Sequence, residues 1–262
     1  GAHAQSYHGW PQETQIFVND AELFSQAQEH YDMGNYALAQ QKFVSFLQST
    51  AFNEKRDAHT KRMTAHFYEA MCTYKLGHPN VETLFVDFIA NYEDGGYFRN
   101  MANYYLGQMY FAKRKYRDAI AAFKQVDTDY LSEAEYAEFY FEMAYSHFTS
   151  KKFSQAKKMF AKIINTYNQY YFDANYYYGI LSFFDKDYDQ ALSSFQRIEK
   201  NKRYDKYMPY YITLIYYYQS QYDDLLAYAA PKAKVSGLKN QKEINHIVCL
   251  LYTSDAADDL WC

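Results

Sequence analysis

The sequence predicts an all-α fold made of repeated pairs of helices. Only 9 glycines and 4 prolines occur among the 262 residues, too few for the many tight turns of an all-β protein. Ala, Leu, Gln, Glu and Lys lie instead in long unbroken runs, which favours helix. Small residues also recur at near-regular intervals, and this repetition predicts an array of similar units.

The repeat is marked by two small residues and a phenylalanine. The first small residue recurs every 34 to 43 positions, at Ala27, Ala70, Gly107, Ala144, Gly179 and Thr213. A second small residue and a phenylalanine four positions later follow most of these markers, at Ala39 and Phe43, Ala119 and Phe123, Ala156 and Phe160, and Ala191 and Phe195. A short polar break separates the two small residues, so each unit reads as helix, tight turn and helix.

The small residues have a physical explanation. Two helices that cross closely need Gly or Ala at the crossing, because a larger side chain would hold their backbones apart. The phenylalanine is expected to fill the space between neighbouring units. The sixth unit departs from the pattern, since Leu225 replaces the alanine and Ala229 replaces the phenylalanine.

This pattern resembles the tetratricopeptide repeat, which reads W-x2-L-G-x2-Y and then A-x3-F. Asn103-x2-Leu106-Gly107-x2-Tyr110, followed by Ala119-x3-Phe123, matches the spacing. Asparagine stands where the family has tryptophan. The resemblance implies an alpha-alpha superhelix, or solenoid, of about six tetratricopeptide helical hairpins.

The solenoid is predicted over residues 15–248. Its repeats are expected near 20–53, 63–92, 100–133, 137–170, 172–205 and 206–239, followed by a truncated helix that begins near Asn240. The repeats outside 100–205 match less well. A truncated array exposes an apolar end, so the sequence predicts self-association through its C-terminal end.

Both termini are set apart from the repeats. Residues 249–262 resemble the translated end of a transposon adapter and are predicted to be an artefact. Residues 1–14 form a tail in which Ala2-His3-Ala4 has the small-x-small form of a signal-peptidase site, and this predicts a periplasmic or outer-membrane-associated protein. The alternative is a tail without that meaning and a cytoplasmic protein.

Aromatic residues are the other unusual feature, with 32 tyrosines and 20 phenylalanines. The resemblance implies that positions 2, 5, 9, 12 and 13 of each repeat face a ligand, and positions 5 and 12 are aromatic in all six repeats. The candidate partner-binding residues are Tyr104, Phe111, Phe141, Tyr145, Phe148, Tyr176, Phe183, Phe184, Tyr207, Tyr210, Tyr217 and Tyr218. The alternative is that these rings only complete the packing between helices.

Several function classes are disfavoured. The chain has no Gly-rich phosphate loop, HExxH, CxxC or Gly-x-Ser-x-Gly motif, so we expect no enzyme, no cofactor and no metal site. Without the three aspartates of 249–262, 28 acidic residues face 27 basic ones, which disfavours nucleic acid as a partner. No apolar run of about 18 residues occurs, so direct membrane insertion is not expected. Cys72 is expected to be a buried structural thiol.

The function predicted is therefore a non-catalytic scaffold that binds an extended polypeptide or a partner subunit on its concave aromatic face. The chain resembles multi-repeat envelope tetratricopeptide proteins of Bacteroides-like bacteria, which implies a role in an envelope assembly or secretion complex. The alternative is a module that binds glycan or peptidoglycan on the same rings, because aromatic faces also stack on sugars.

Overall fold

The computed structural model describes residues 13–52 and 56–255, with side chains described for 20–52 and 58–253. These residues form thirteen α-helices, one short 3₁₀ turn at Thr128–Tyr130 and no strand. The helices are α1 Glu13–Asp32, α2 Tyr36–Ser49, α3 Arg56–Leu76, α4 Val81–Asn91, α5 Gly96–Ala112, α6 Tyr116–Phe123, α7 Glu133–Thr149, α8 Phe153–Phe160, α9 Tyr171–Phe184, α10 Tyr188–Ile198, α11 Met208–Tyr218, α12 Tyr222–Lys232 and α13 Gln241–Asp255.

The chain divides into two compact units, residues 1–113 with 121–130 and residues 114–120 with 131–262. In the first unit, α1 to α5 pack in chain order, each against the next. In the second unit, α7 to α13 do the same. The helix α13 extends to Asp255 and so enters the segment 249–262. A helix there does not test the predicted artificial origin of this segment, because an artificial sequence can also form a helix. That origin stays a prediction.

A left-handed residue closes the turn of each hairpin. These residues have φ between 57° and 80° and are Gly34, Gly77, Arg114, Lys151, Lys186 and Ser220. The following amide reaches back five residues, as where the Asp187 N–H donates to the Ser182 carbonyl at 2.8 Å. This is the Schellman ending of a helix, which favours glycine because a Cβ atom is strained at positive φ.

The predicted close crossing of the two helices is confirmed. A Cβ atom built on Gly107 would lie 2.5 Å from the ring of Phe123, and one built on Gly179 would lie 2.5 Å from the ring of Phe195. Both distances are too short for real atoms. Alanine or threonine marks the other repeats, and these residues are fully buried, at Ala27, Ala70, Ala144 and Thr213.

Three of the predicted phenylalanines, Phe43, Phe160 and Phe195, fill the space between neighbouring repeats. Each ring lies against a tyrosine on the first helix of the next repeat, at centroid distances of 5.4 to 5.9 Å, in the pairs Phe43–Tyr68, Phe160–Tyr177 and Phe195–Tyr211. Phe85, which was not predicted, lies 6.2 Å from Tyr105 in the same way. These tyrosines were not singled out by the sequence analysis. They show that part of the aromatic excess serves packing.

The sixth hairpin has a large side chain where most other repeats have alanine, and an alanine where they have phenylalanine. Leu225 and Ala229 are both fully buried and pack with Ile244 and Val248 of α13. A larger residue at the alanine position thus accompanies a smaller one at the phenylalanine position, which preserves core volume. The helix α12 ends at Lys232, one residue after Pro231.

Candidate partner-binding surface

The twelve candidate residues differ in how much of each ring is accessible. Tyr104 is buried, with 1% of its surface exposed. Seven are half-buried, namely Phe111, Phe141, Tyr145, Phe148, Tyr176, Phe183 and Tyr210. Four are exposed, namely Phe184, Tyr207, Tyr217 and Tyr218. Contact of any of them with a partner stays a prediction, but the exposed four offer the most surface.

The rings at position 5 stack at one end of the hairpins. We call this the loop end, where a first helix begins and the preceding second helix has ended. Phe141 stacks on Tyr170 with centroids 4.4 Å apart, and Tyr176 stacks on Tyr204 at 4.8 Å. Each partner ring lies in the segment that leads into the following first helix, so the position-5 rings join one repeat to the next.

A buried asparagine ties the same end together. The side chain of Asn175 donates to the Ile164 carbonyl at 3.1 Å and to the Tyr171 carbonyl at 2.8 Å. Its oxygen accepts a hydrogen bond from Arg197 Nη1 at 3.2 Å. Asn175 stands at the position where the family has tryptophan. The side-chain amide of Asn175 binds the connecting segment by hydrogen bonds, whereas a tryptophan ring would make an apolar contact. The unusual asparagine was the sequence signal for this role.

Burial also shifts the acidity of the tyrosines at the loop end. Burial raises the pKa of Tyr170, and the nearby carboxylates of Glu138, Glu142 and Asp173 raise it further. Burial likewise raises the pKa of Tyr204, whose hydroxyl donates to Asp173. Asp173 also accepts from Arg203 Nη1 at 2.6 Å. These hydroxyls are therefore held in the neutral form.

The opposite end of the hairpins carries a cluster of rings that reach the surface. We call this the turn end, and the turn-end cluster consists of Phe183, Phe184, Tyr188, Tyr217, Tyr218 and Tyr222. Phe183 lies at its centre, 5.6 Å from Phe184, 5.8 Å from Tyr188 and 6.3 Å from Tyr218 between centroids. Phe184 is 71% exposed and Tyr218 is 52% exposed.

The hairpin turn accounts for part of this cluster. A ring at position 12 of the first helix meets the aromatic residue five positions later, across the turn. This contact recurs at centroid distances of 5.3 to 6.3 Å in Tyr31–Tyr36, Phe148–Phe153, Phe183–Tyr188 and Tyr217–Tyr222. Rings at position 12 thus support the turn, whereas Phe184 and Tyr218, at position 13, project beyond it.

The two turns that carry the turn-end cluster, with the first residues of the helices that follow them, are rich in aspartate. The two turns contribute Asp185, Asp187, Asp189, Asp223 and Asp224, with Lys186 as their one basic residue. Lys157 Nζ lies 3.3 Å from Asp185 and 3.5 Å from Asp187. Asp189 accepts a hydrogen bond from Gln219 at 2.8 Å, while Asp223 and Asp224 are exposed.

Two further predictions concern Cys72 and membrane insertion. Cys72 is fully buried, as predicted, and burial raises the pKa of its thiol to about 12. Across the part of the chain with described coordinates, no helix combines the length and apolar character that crossing a bilayer requires.

Comparison with known proteins supports the fold. No protein-family model matches the chain, and no curated protein sequence does. A tetratricopeptide repeat protein from Parabacteroides merdae has a similar structure, with 10% identity, a TM-score of 0.52, and an alignment that covers 90% of this chain and 92% of that one. PilF from Pseudomonas aeruginosa aligns with 13% identity over 87% of this chain and 97% of its own, at a TM-score of 0.48.

The first of these likenesses extends over nine-tenths of the chain. Within each unit the helices pair in series, with small residues at their crossings. The fold class expected from the sequence, an all-α array of helical hairpins, is confirmed. The chain has the tetratricopeptide-repeat fold.

Proposed function

We propose that the chain is a non-catalytic scaffold that binds an extended polypeptide or partner subunit through its aromatic residues, with the turn-end cluster as the main contact. The observation that carries this proposal is the exposure of Phe184 and Tyr218 within one group of touching rings. Contiguous exposed rings are expensive to keep in water and are enriched where proteins bind one another.

The half-buried candidates support this contact. Phe183 touches Phe184 and Tyr218 on one side and Tyr211, at 5.4 Å, on the other, so it holds the exposed rings against the hairpin. Aromatic side chains lose little conformational entropy when a partner covers them. A partner that lies along the turn end would bury rings already fixed in place.

Site-specific crosslinking tests this surface. A photoreactive phenylalanine analogue placed at Phe184 or Tyr218 is expected to crosslink a protein in cells of the native host. The same analogue at Tyr130, an exposed ring in the other unit, is the control and is expected to give no such product. Equal labelling at all three positions, or none, contradicts the proposal.

We further propose that the scaffold serves an assembly or secretion complex at the bacterial envelope. Support comes from the resemblance to envelope tetratricopeptide proteins and from Ala2-His3-Ala4, which lies outside the described residues. Cell fractionation with an antibody against the protein tests the location. Recovery in the cytoplasm alone contradicts it.

Glycan binding is the second candidate, favoured by exposed aspartates that follow the cluster rings in the sequence. A sugar can stack on the ring of Tyr218 while Asp189 or Asp223 accepts hydrogen bonds from its hydroxyls. Pull-down with purified cell-wall sacculi distinguishes the two functions. Saturable binding that is lost in Phe184→Ala/Tyr218→Ala, without any protein crosslink at these positions, favours the glycan.

Self-association is a further part of the proposal. On α13, Leu250 is 48% exposed and Tyr252 is 38% exposed, which gives the helix apolar surface for a second copy. Light scattering is expected to show a mass that rises with concentration, and Leu250→Lys is expected to reduce this rise. A monomer at high concentration contradicts self-association.

A further inference from the structure

We infer that the turn-end cluster recognises a polypeptide segment that carries both apolar and basic side chains. The inference rests on the proposed function for the docking of a polypeptide and adds the chemistry of the partner. Two independent properties of the surface lead to it, the arrangement of the exposed rings and the charge beside them.

The rings form a continuous patch across two hairpins. Tyr188, at the start of α10, stacks on Tyr218, at the end of α11, with centroids 5.6 Å apart. Tyr217 continues the patch, 5.9 Å from Tyr218 and 6.3 Å from Tyr222. A patch shared by α9 to α12 can contact several side chains of one extended segment.

At three places an aspartate follows a ring of the cluster in the sequence. Asp185 follows Phe184, Asp189 follows Tyr188, and Asp223 follows Tyr222. The five aspartates and one lysine of the two turns carry a formal charge of −4. Lys157 offsets part of this charge beside Asp185 and Asp187, and Asp189, Asp223 and Asp224 are the remaining carboxylates.

This combination favours a cationic partner. A guanidinium or ammonium group is attracted to an aromatic face and to a neighbouring carboxylate at once. An acidic segment would be repelled from the same place. Asp223 and Asp224 also lie in the first turn of α12, where acidic residues stabilise the helix dipole, but that role does not account for the exposed rings beside them.

Three synthetic peptides of equal length test the inference by fluorescence anisotropy. Each has three copies of one unit, Ser-Arg-Leu-Arg, Ser-Gln-Leu-Gln or Ser-Glu-Leu-Glu. We expect the arginine peptide to bind most tightly at low salt, the glutamine peptide weakly and the glutamate peptide not at all. Added salt is expected to weaken the arginine complex, since exposed charges are screened.

Variants locate the binding. Asp189→Asn/Asp223→Asn/Asp224→Asn is expected to weaken the arginine peptide about tenfold, because each exposed ion pair contributes modestly. Phe184→Ala/Tyr218→Ala is expected to weaken it about as much through lost contact with the rings. The control Asp87→Asn/Glu93→Gln/Asp129→Asn removes the same charge from exposed positions elsewhere and should change affinity by less than about twofold.

The outcomes separate this inference from the proposed function. Equal binding of the arginine and glutamine peptides, lost in the ring variant and kept in the aspartate variant, overturns basic selectivity but supports polypeptide docking. Equal weakening by both triple variants overturns the location. If no peptide binds, the inference fails, and the crosslinking at Phe184 still decides the proposed function by itself.

Discussion

The two ends of the hairpins α9–α10 and α11–α12 use the same kinds of residue for different purposes. At the loop end, Tyr176 and Tyr204 stack with centroids 4.8 Å apart beside the fully buried Asn175. At the turn end, Phe184 and Tyr218 leave more than half of their surface exposed. The stack of Tyr176 on Tyr204 at the loop end resembles a core, and the rings of Phe184 and Tyr218 at the turn end resemble an interface.

This difference teaches that aromatic content by itself does not locate a binding surface. The position-5 rings Phe141 and Tyr176 are partly covered by a ring from the chain as it enters the next repeat, although Tyr207 at the same end is exposed. A ring next to a two-helix turn is not covered in this way, because the turn is too short to fold back over it. The loop end should therefore govern stability, and the turn end should govern binding.

Alkaline pH is expected to give the largest effect, through the loop end. Burial raises the pKa of Tyr176 from its usual 10.0 and that of the adjoining Tyr177 to about 12. A tyrosine with a raised pKa stabilises the folded state below the unfolded value, and this contribution is lost as pH rises. The free energy of unfolding should stay level to about pH 9 and fall between about pH 10 and 12.

Chemical denaturation across that range is the measurement. Tyr176→Phe keeps the stack with Tyr204 and removes an ionisable group, so it should unfold like the wild type at pH 7 and lose less stability at high pH. An identical decline in the two proteins would show that Tyr176 does not contribute to the alkaline loss.

Removal of the loop-end asparagine is expected to give the next largest effect. Asn175→Leu removes the hydrogen bonds that the Ile164 carbonyl and Arg197 make to the amide. Arg197 still donates to the Ile164 carbonyl at 3.3 Å, so the change should cost about 2 to 3 kcal/mol of unfolding free energy. Denaturant titration measures it. The control Asn35→Ala, at a helix start where the side chain makes no capping hydrogen bond, should cost less than about 0.5 kcal/mol.

Truncation of one ring at each end compares them directly. Tyr176→Ala should cost about 2 kcal/mol, because it removes a stacked, half-buried ring. Phe184→Ala should cost less than about 0.5 kcal/mol, yet it should weaken partner binding. Thermal unfolding and anisotropy of the same samples provide both measurements. Equal losses of stability would remove the distinction between the two ends.

Backbone strain at the turn gives the smallest expected effect, and its sign is opposite. Lys186 has φ of 61°, so Lys186→Gly should stabilise the protein by about 0.5 to 1 kcal/mol. Lys158→Gly, at an exposed position in the last turn of α8 where φ is not positive, should instead destabilise it by about 0.5 kcal/mol. Differential melting temperatures check both, and two changes of the same sign would contradict the strain argument.

Much of the fold could be predicted from the sequence. The marker residues Gly107 and Gly179 identified the helix crossings, because no larger side chain fits against Phe123 and Phe195. The sequence could not show which tyrosines pack on the second-helix phenylalanines. Several aromatic residues are consecutive on the same helix, and the sequence does not distinguish those that face the next hairpin from those that face solvent. The same limit applies to the surface, where Phe183 and Phe184 are adjacent in sequence and differ in exposure.

The sequence by itself determined the helical hairpins, their order and the small residues that let each pair close, because these depend on local spacing and on side-chain volume. The tertiary structure decided which rings are covered. Asn175 and Tyr204 close the loop end through contacts with Arg197 and Tyr176, which are 22 and 28 residues away in the sequence, and only the folded chain brings such segments together. Phe184 and Tyr218 stay exposed because no segment within residues 13–52 and 56–255 passes over the turn end to bury them.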